Sequence, residues 1–153
     1  MTTTRRTFLK TVGATGAAAA VLPLGAAACA GGTGGEGESG DTVDVSVHQF
    51  ADGLSADATD HLILGKDSDG LYAMTATCTH AACDLTQFGQ LSAAGITCSC
   101  HGSTYDANGQ VINGAAGPGQ PDLEHYKLTL SDDKKTATVD LGAVVDATTR
   151  TAV

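Results

Sequence analysis

The chain has no tryptophan, and three tyrosines and three phenylalanines are its only aromatic residues. A core built from so few large side chains is modest. Crosslinks or a bound group then become natural supports, since whatever binds only the folded state adds directly to its stability. Basic residues are scarce too, with 8 Lys and Arg against 17 Asp and Glu. Of these eight, Arg5, Arg6 and Lys10 lie at the very start, and no acid precedes Glu36. The rest of the chain is therefore strongly acidic. That argues against nucleic acid as a partner and fits equally a protein partner with a basic docking patch and a solvated surface that keeps the protein soluble. Beyond the N-terminal segment there is no helix-period run of any length and no evident internal repeat. A chain of 153 residues has room for one ordinary domain and some tail, not for two substantial cores.

Four of the five cysteines and two of the five histidines fall in two short stretches. These are Cys78-Thr79-His80-Ala81-Ala82-Cys83 and Cys98-Ser99-Cys100-His101-Gly102-Ser103-Thr104-Tyr105-Asp106, with fourteen intervening residues that contain neither Cys nor His. Each stretch offers a thiolate and an imidazole, and the two can meet around a metal if the chain between them doubles back. Soft thiolate with borderline imidazole suits zinc and iron–sulfur clusters alike. A zinc site of two cysteines and two histidines would leave two cysteines over and would not account for the Gly102-Ser103-Thr104-Tyr105 sequel. A two-disulfide scaffold in an exported protein would leave His80 and His101 unexplained. His48, His61 and His125 lie outside both stretches and are assigned no site role.

The two stretches resemble the paired loops of the Rieske [2Fe-2S] proteins, which read C-x-H-x-x-C and C-x-C-H-G-S. The resemblance implies one [2Fe-2S] cluster, with Cys78 and Cys98 on one iron, His80 and His101 on the other, and a disulfide between Cys83 and Cys100. Two neutral imidazoles in place of two thiolates make such a cluster less negative and raise its reduction potential. Ser103, aimed at a bridging sulfide, and Tyr105, aimed at a ligand thiolate, would stabilise the reduced form further. In the family these hydroxyls and the disulfide mark the high-potential branch. Ala81 stands where the family more often has leucine, which implies a less shielded cluster.

The N-terminal residues read as a targeting signal. Thr4-Arg5-Arg6-Thr7-Phe8-Leu9-Lys10 resembles the twin-arginine export motif, and a weakly apolar Ala/Gly/Thr-rich stretch follows it. Ala26-Ala27-Ala28-Cys29 is similar to a bacterial lipobox, which makes Cys29 the lipidation candidate; cleavage by an ordinary signal peptidase and an uncleaved segment acting as anchor are the other readings. The expected organisation is a signal over residues 1–29, a Gly-rich flexible linker over 30–42 and the Rieske domain over 43–153. Thirteen coil residues reach about 20 Å.

From Val43 on, short alternating runs separated by turn residues predict an all-β chain. Val43, Val45 and Val47 read as a strand that His48 and Phe50 continue. His61-Leu62-Ile63-Leu64-Gly65 and Leu71-Tyr72-Ala73-Met74-Thr75 form a hairpin around residues 66–70. Residues 85–88 and 95–97 are expected as short strands between the two stretches. Residues 103–106 and 110–112 form a hairpin at Ala107-Asn108-Gly109. The Gly- and Pro-containing residues 114–121 fall where the family has a loop closing over the cluster. Residues 126–130 and 136–141 make a last hairpin, with 142–153 as tail or edge strand. The fold class expected is an antiparallel β-sandwich of small sheets with the two cluster loops at one tip.

The function implied is that of an exported, membrane-tethered carrier on the outer face of a bacterial cytoplasmic membrane. It would pass one electron between a quinol or enzyme donor and a cytochrome-type acceptor. The settings that fit are the iron–sulfur subunit of a cytochrome bc-type complex, the small subunit of a molybdenum oxidase such as arsenite oxidase, and a stand-alone ferredoxin-like carrier. A Rieske oxygenase would need a second domain with its own iron site. The non-redox alternative is a binding module stabilised by zinc or disulfides.

Overall fold

The computed structural model describes residues 41–153. Arg5, Arg6, Cys29 and nearly all of the expected tether lie outside the described residues; the tether's last residue, Thr42, already belongs to the first strand. In chain order the strands are β1 (Thr42–Ser46), β2 (Gly53–Asp57), β3 (Leu62–Asp67), β4 (Gly70–Thr75), β5 (Gly89–Ser92), β6 (Gly95–Cys98), β7 (Thr104–Asp106), β8 (Val111–Asn113), β9 (His125–Leu130) and β10 (Thr136–Val145). A single turn of helix, α1 (Leu85–Phe88), precedes β5. All pairings are antiparallel. They form a six-stranded sheet in the order β1-β10-β9-β4-β3-β2 and a four-stranded sheet in the order β5-β6-β7-β8.

The central hairpin explains why the sheets lie where they do. Asp67 starts the β3–β4 turn by accepting from the backbone N–H of Asp69 (2.9 Å) and Gly70 (3.1 Å). The strands it joins are apolar on both faces, with Leu62 to Gly65 and Gly70 to Met74 all buried. A strand covered on both sides reads as a continuous apolar run, and this hairpin is buried between two cores. Leu62, Leu64, Leu71 and Ala73 pack with Val45, Phe50, Ala137 and Val139. Ile63, Tyr72 and Met74 pack on the opposite side with Leu85, Ile96, Tyr105, Cys78 and Cys98. Burying each of Leu62, Ile63 and Leu64 is worth ~1.5–3 kcal/mol. Gly65 lies opposite Tyr72, where a β-carbon would come within 2.0 Å of the tyrosine ring, so only glycine lets that ring cross β3.

Several expectations need correction. The first strand ends at Ser46. Val47–Gln49 form a 3₁₀ turn, with Gln49 Oε1 accepting from Ser46 N–H (3.2 Å), and this shifts the phase so that Phe50 is buried while His48 is exposed. Strand β2, whose one large apolar residue is Leu54, was not expected. Residues 85–88 are helical because Asp84 caps them; its carboxylate accepts from Thr86 N–H (2.8 Å) and Oγ1–H (2.7 Å). Strand β10 runs on to Val145 past a register shift between Asp140 and Val144. The tail then returns to pair Thr151 with Leu71 through two 2.9 Å backbone hydrogen bonds. Arg150 lies 3.8 Å over the Tyr72 ring, which also stacks with buried His125. Burial holds the His125 imidazole below its ordinary pKa, against the opposing hydrogen bond between Nε2 and Asn108 O (2.9 Å). Among the described residues no helix is long and apolar enough to cross a membrane.

Candidate metal centre

Residues 78–83 lie between β4 and α1, and residues 98–103 run from the last residue of β6 to the start of β7. In the first loop Cys78 N–H donates to Cys83 O (2.9 Å) and Ala82 N–H to Cys78 O (2.8 Å). In the second, Cys98 N–H donates to Ser103 O (2.8 Å) and Gly102 N–H to Cys98 O (2.9 Å). The residue closing each loop has a left-handed backbone, with φ 55° at Ala82 and 84° at Gly102. The loops are tied to surrounding elements. Leu85, fully buried, donates its N–H to Ala76 O (2.7 Å), and both N–H and Oγ–H of Ser99 donate to Phe88 O at 2.8 Å.

This folding brings together all six of the residues that the sequence places at the cluster. Cys83 and Cys100 form a disulfide between the loops. The thiols of Cys78 and Cys98 face inward, 2% and 1% exposed, at the edge of the core. The rings of His80 and His101 meet edge to face with centroids 4.7 Å apart. His101 is exposed and a ring nitrogen lies within 4.8 Å of both disulfide sulfurs. The two thiols thus lie inside, the His101 imidazole is exposed and the His80 imidazole is half-buried.

Behind the thiols lies a hydroxyl network. The Tyr105 side chain is 1% exposed; its Oη is 3.2 Å from Cys78 Sγ and 3.0 Å from Thr79 Oγ1, and it accepts from Thr79 N–H (3.1 Å). Ser103 is completely buried, donates to Gln120 Oε1 (3.2 Å) and accepts from Ala115 N–H (3.1 Å). Gln120 Nε2 in turn donates to Tyr105 Oη (2.9 Å). Tyr105 thus reaches Cys78, whereas Ser103 gives its one proton to Gln120 and not in the direction expected of it, and both hydroxyls touch a residue that sequence reading did not single out. The only sequence signal for Gln120 is a long polar side chain among the small residues of 114–121.

Electrostatics separate the two thiols. Burial works against ionisation at Cys78, but hydrogen bonds from Tyr105 and from the backbone of His80 and Ala81 outweigh it and hold the thiol below its ordinary pKa. Burial pushes Cys98 up and Cys78 beside it adds to that, despite the amides of Cys100 and His101. Burial, then the neighbouring Cys78, likewise raises Tyr105. Two adjacent buried thiols that resist joint ionisation are a pair that a bound cation would deprotonate. His80 Nδ1 is also buried without a hydrogen-bond partner. A buried, unpaired imidazole nitrogen in the loop that Cys78 opens fits a ligand set of soft sulfur and nitrogen donors.

The match to a family of known proteins agrees with this chemistry. The family profile described as the Rieske [2Fe-2S] domain matches residues 40–127. The chain belongs to the Rieske [2Fe-2S] domain family, as an iron–sulfur electron-transfer protein whose centre takes one [2Fe-2S] cluster. It is 36% identical over 104 residues to the cytochrome b6-f complex iron-sulfur subunit of Synechococcus sp. (strain WH7803), covering 62% of this chain and 57% of that protein. To the corresponding subunit of Prochlorococcus marinus (strain MIT 9211) it is 35% identical over 122 residues, covering 74% and 66%. The match thus spans less than two thirds of these relatives' own length. Among solved structures, a cyanobacterial plasma membrane Rieske protein from Synechocystis PCC 6803 aligns with a TM-score of 0.36 at 23% identity, covering 53% of this chain and 87% of that one. A chain from the complex of reduced oxygenase and oxidized ferredoxin in carbazole 1,9a-dioxygenase aligns with a TM-score of 0.48 at 20% identity, covering 69% and 96%.

Proposed function

We propose that this protein is an exported, membrane-tethered carrier that passes single electrons from a quinol or an enzyme donor to a cytochrome-type acceptor. Cys78 and Cys98 would hold one iron and His80 and His101 the other. The observation that carries this reading is the donor set itself, with two buried thiols and two imidazoles in edge-to-face contact on disulfide-joined loops. A bound [2Fe-2S] cluster supplies one-electron oxidation and reduction. The protein's residues decide how that electron is held and reached. Tyr105 places a hydroxyl against Cys78 Sγ, which favours the more negative, reduced state. Ala81, Ala82 and Gly102 are exposed around His101, so a partner can approach the imidazole edge without displacing a bulky side chain. A quinol docked there could hydrogen-bond to His101 and pass on a proton with its electron. The acidic surface favours a partner with a basic docking patch.

The test is iron analysis of the purified protein with a potentiometric titration followed by electron paramagnetic resonance, repeated across pH. A high midpoint that falls as pH rises is expected where electron uptake is linked to protonation at the imidazoles. A low, pH-independent midpoint would replace the quinol reading with that of a ferredoxin-like carrier. For the N-terminal signal, replacing Arg5 and Arg6 together by Lys is expected to stop export, and normal export of that variant would remove the twin-arginine reading.

A further inference from the structure

Gln120 is 9% exposed, and all four hydrogen-bonding positions of its side-chain amide are used. Oε1 accepts from Ser103 Oγ–H (3.2 Å) and from Ala116 N–H (3.2 Å). Nε2 donates to Tyr105 Oη (2.9 Å) and to Thr79 Oγ1 (3.1 Å). The backbone N–H of Ala116 can only donate, so it fixes which end of the amide is oxygen. The nitrogen end must then face Tyr105.

That orientation has a consequence for the tyrosine proton. Tyr105 Oη already accepts from Gln120 Nε2–H and Thr79 N–H. Its own proton must therefore go outward, and two acceptors are in reach, Thr79 Oγ1 and Cys78 Sγ. Thr79 has committed its proton to Pro121 O (2.6 Å), and its oxygen already receives the second N–H of Gln120. As a thiolate, Cys78 offers the stronger, charge-assisted bond. We propose that Gln120 is a positioning residue that turns the Tyr105 hydroxyl proton toward Cys78 Sγ, and so raises the reduction potential of the centre without touching it. Through Oε1 the same amide takes the Ser103 proton, an effect of opposite sign that the Tyr105→Phe background below isolates. The inference rests on the assignment of Cys78 as a ligand.

The experiment is a double-mutant cycle on the cluster-loaded protein, comparing Gln120→Met, Tyr105→Phe and the pair by potentiometric titration. Intact iron content and paramagnetic signal are checked in each. Gln120→Met is expected to lower the midpoint by about tenfold in the electron equilibrium, 59 mV for one electron. In the Tyr105→Phe background the same change is expected to do less than a third of that, because its effect runs through the hydroxyl. Equal shifts in both backgrounds, or no shift with Gln120→Met, would overturn the proposal. Gln120→Glu, equal in size and without a donor when ionised, is the second variant should Met disturb folding. Its shift must also be larger with Tyr105 present than absent. If Tyr105→Phe alone leaves the midpoint unchanged, the proposal fails while the ligand assignment stands. Wild-type protein isolated without iron or signal would overturn the ligand assignment and this inference together.

Discussion

The two loops of the metal centre have nearly the same backbone but share only their first residue. Cys78 and Cys98 each open a loop in which the cysteine N–H bonds to the carbonyl five residues on, and its C=O accepts from the N–H four residues on. The remaining positions differ. The imidazole is two residues after the cysteine in the first loop and three after it in the second, and the residue five after it is Cys83 in one and Ser103 in the other. The cradle thus fixes one buried thiol per loop and leaves the other positions free for distinct work. The loops also support each other. Tyr105, which follows the second, contacts the thiol of the first, while Phe88, which ends α1 after the first, accepts two hydrogen bonds from Ser99 of the second. No internal repeat is evident in the sequence because the repeat is one of backbone, not of side chains.

If the cradles are equivalent as thiol holders, their opening cysteines should be equally indispensable. Cys78→Ser and Cys98→Ser are each expected to abolish iron incorporation, measured as iron per protein. Retention of iron by one alone would break the equivalence. The imidazoles should behave differently. His101→Cys is expected to keep a cluster but at a much lower midpoint, since all-cysteine clusters have the lower potentials; an unchanged midpoint would remove His101 from the ligands. Next in size is the crosslink between the loops. Removing the Cys83–Cys100 bridge, which spans 17 residues, is expected to cost about 3 kcal/mol in denaturant unfolding. Cys83→Ala and Cys100→Ala should each cost as much as the double replacement, and a larger cost for the double would mean that the sulfurs act separately.

The residues at the centre were legible because their chemistry is rare and their spacing tight, and strand pairing then had only to bring Cys83 to Cys100 and His80 to His101. Hairpins marked by Asp67 or Asn108-Gly109 were legible for a similar reason, since those turns are written locally. Four residues such as Leu85–Phe88 are too few for their apolar pattern to separate helix from strand, and the Asp84 cap decided it. Strand β2 has only Leu54 as a large apolar residue, and its pairing with the strongly apolar β3 supplies what its own pattern lacks. Gln120 was illegible because its partners Ser103, Tyr105 and Thr79 are 15 to 41 residues away, so its role exists only in the assembled fold.

The left-handed closing residue gives a smaller and more local test. Gly102 adopts φ 84° at no steric cost, whereas Ala82 adopts φ 55° with a side chain. A β-carbon at Gly102 would meet nothing within 4 Å, so Gly102→Ala should cost only the backbone penalty, about 1–2 kcal/mol. Ala82→Gly should recover a similar amount, less the extra chain entropy of glycine. Opposite signs in thermal or denaturant unfolding would confirm the shared cradle, and the same sign would mean that the loops close differently.

The smallest expected effect distinguishes the loop exits. After the first loop, Asp84 accepts from Thr86 and Gln87 and faces His61 at 3.1 Å. Burial works to raise its pKa, but these hydrogen bonds and His61 outweigh it and hold the carboxyl below 3.8. A carboxyl depressed in the folded state stabilises fully above its unfolded pKa, and that contribution is lost as pH falls through the folded value. Asp84→Ala is therefore expected to cost about 1 kcal/mol at neutral pH, with the difference from wild type vanishing once acid has protonated Asp84. The second loop exits through the neutral Ser103 into β7, with no carboxylate cap on its cradle. Amide exchange should accordingly show Gln87 and Phe88, which donate to Asp84 O, losing protection in Asp84→Ala while Cys98 and Gly102 keep theirs. Equal loosening of both loops would mean that the Ser99–Phe88 contacts and the disulfide transmit the loss of the cap, joining the cradles into one cooperative unit.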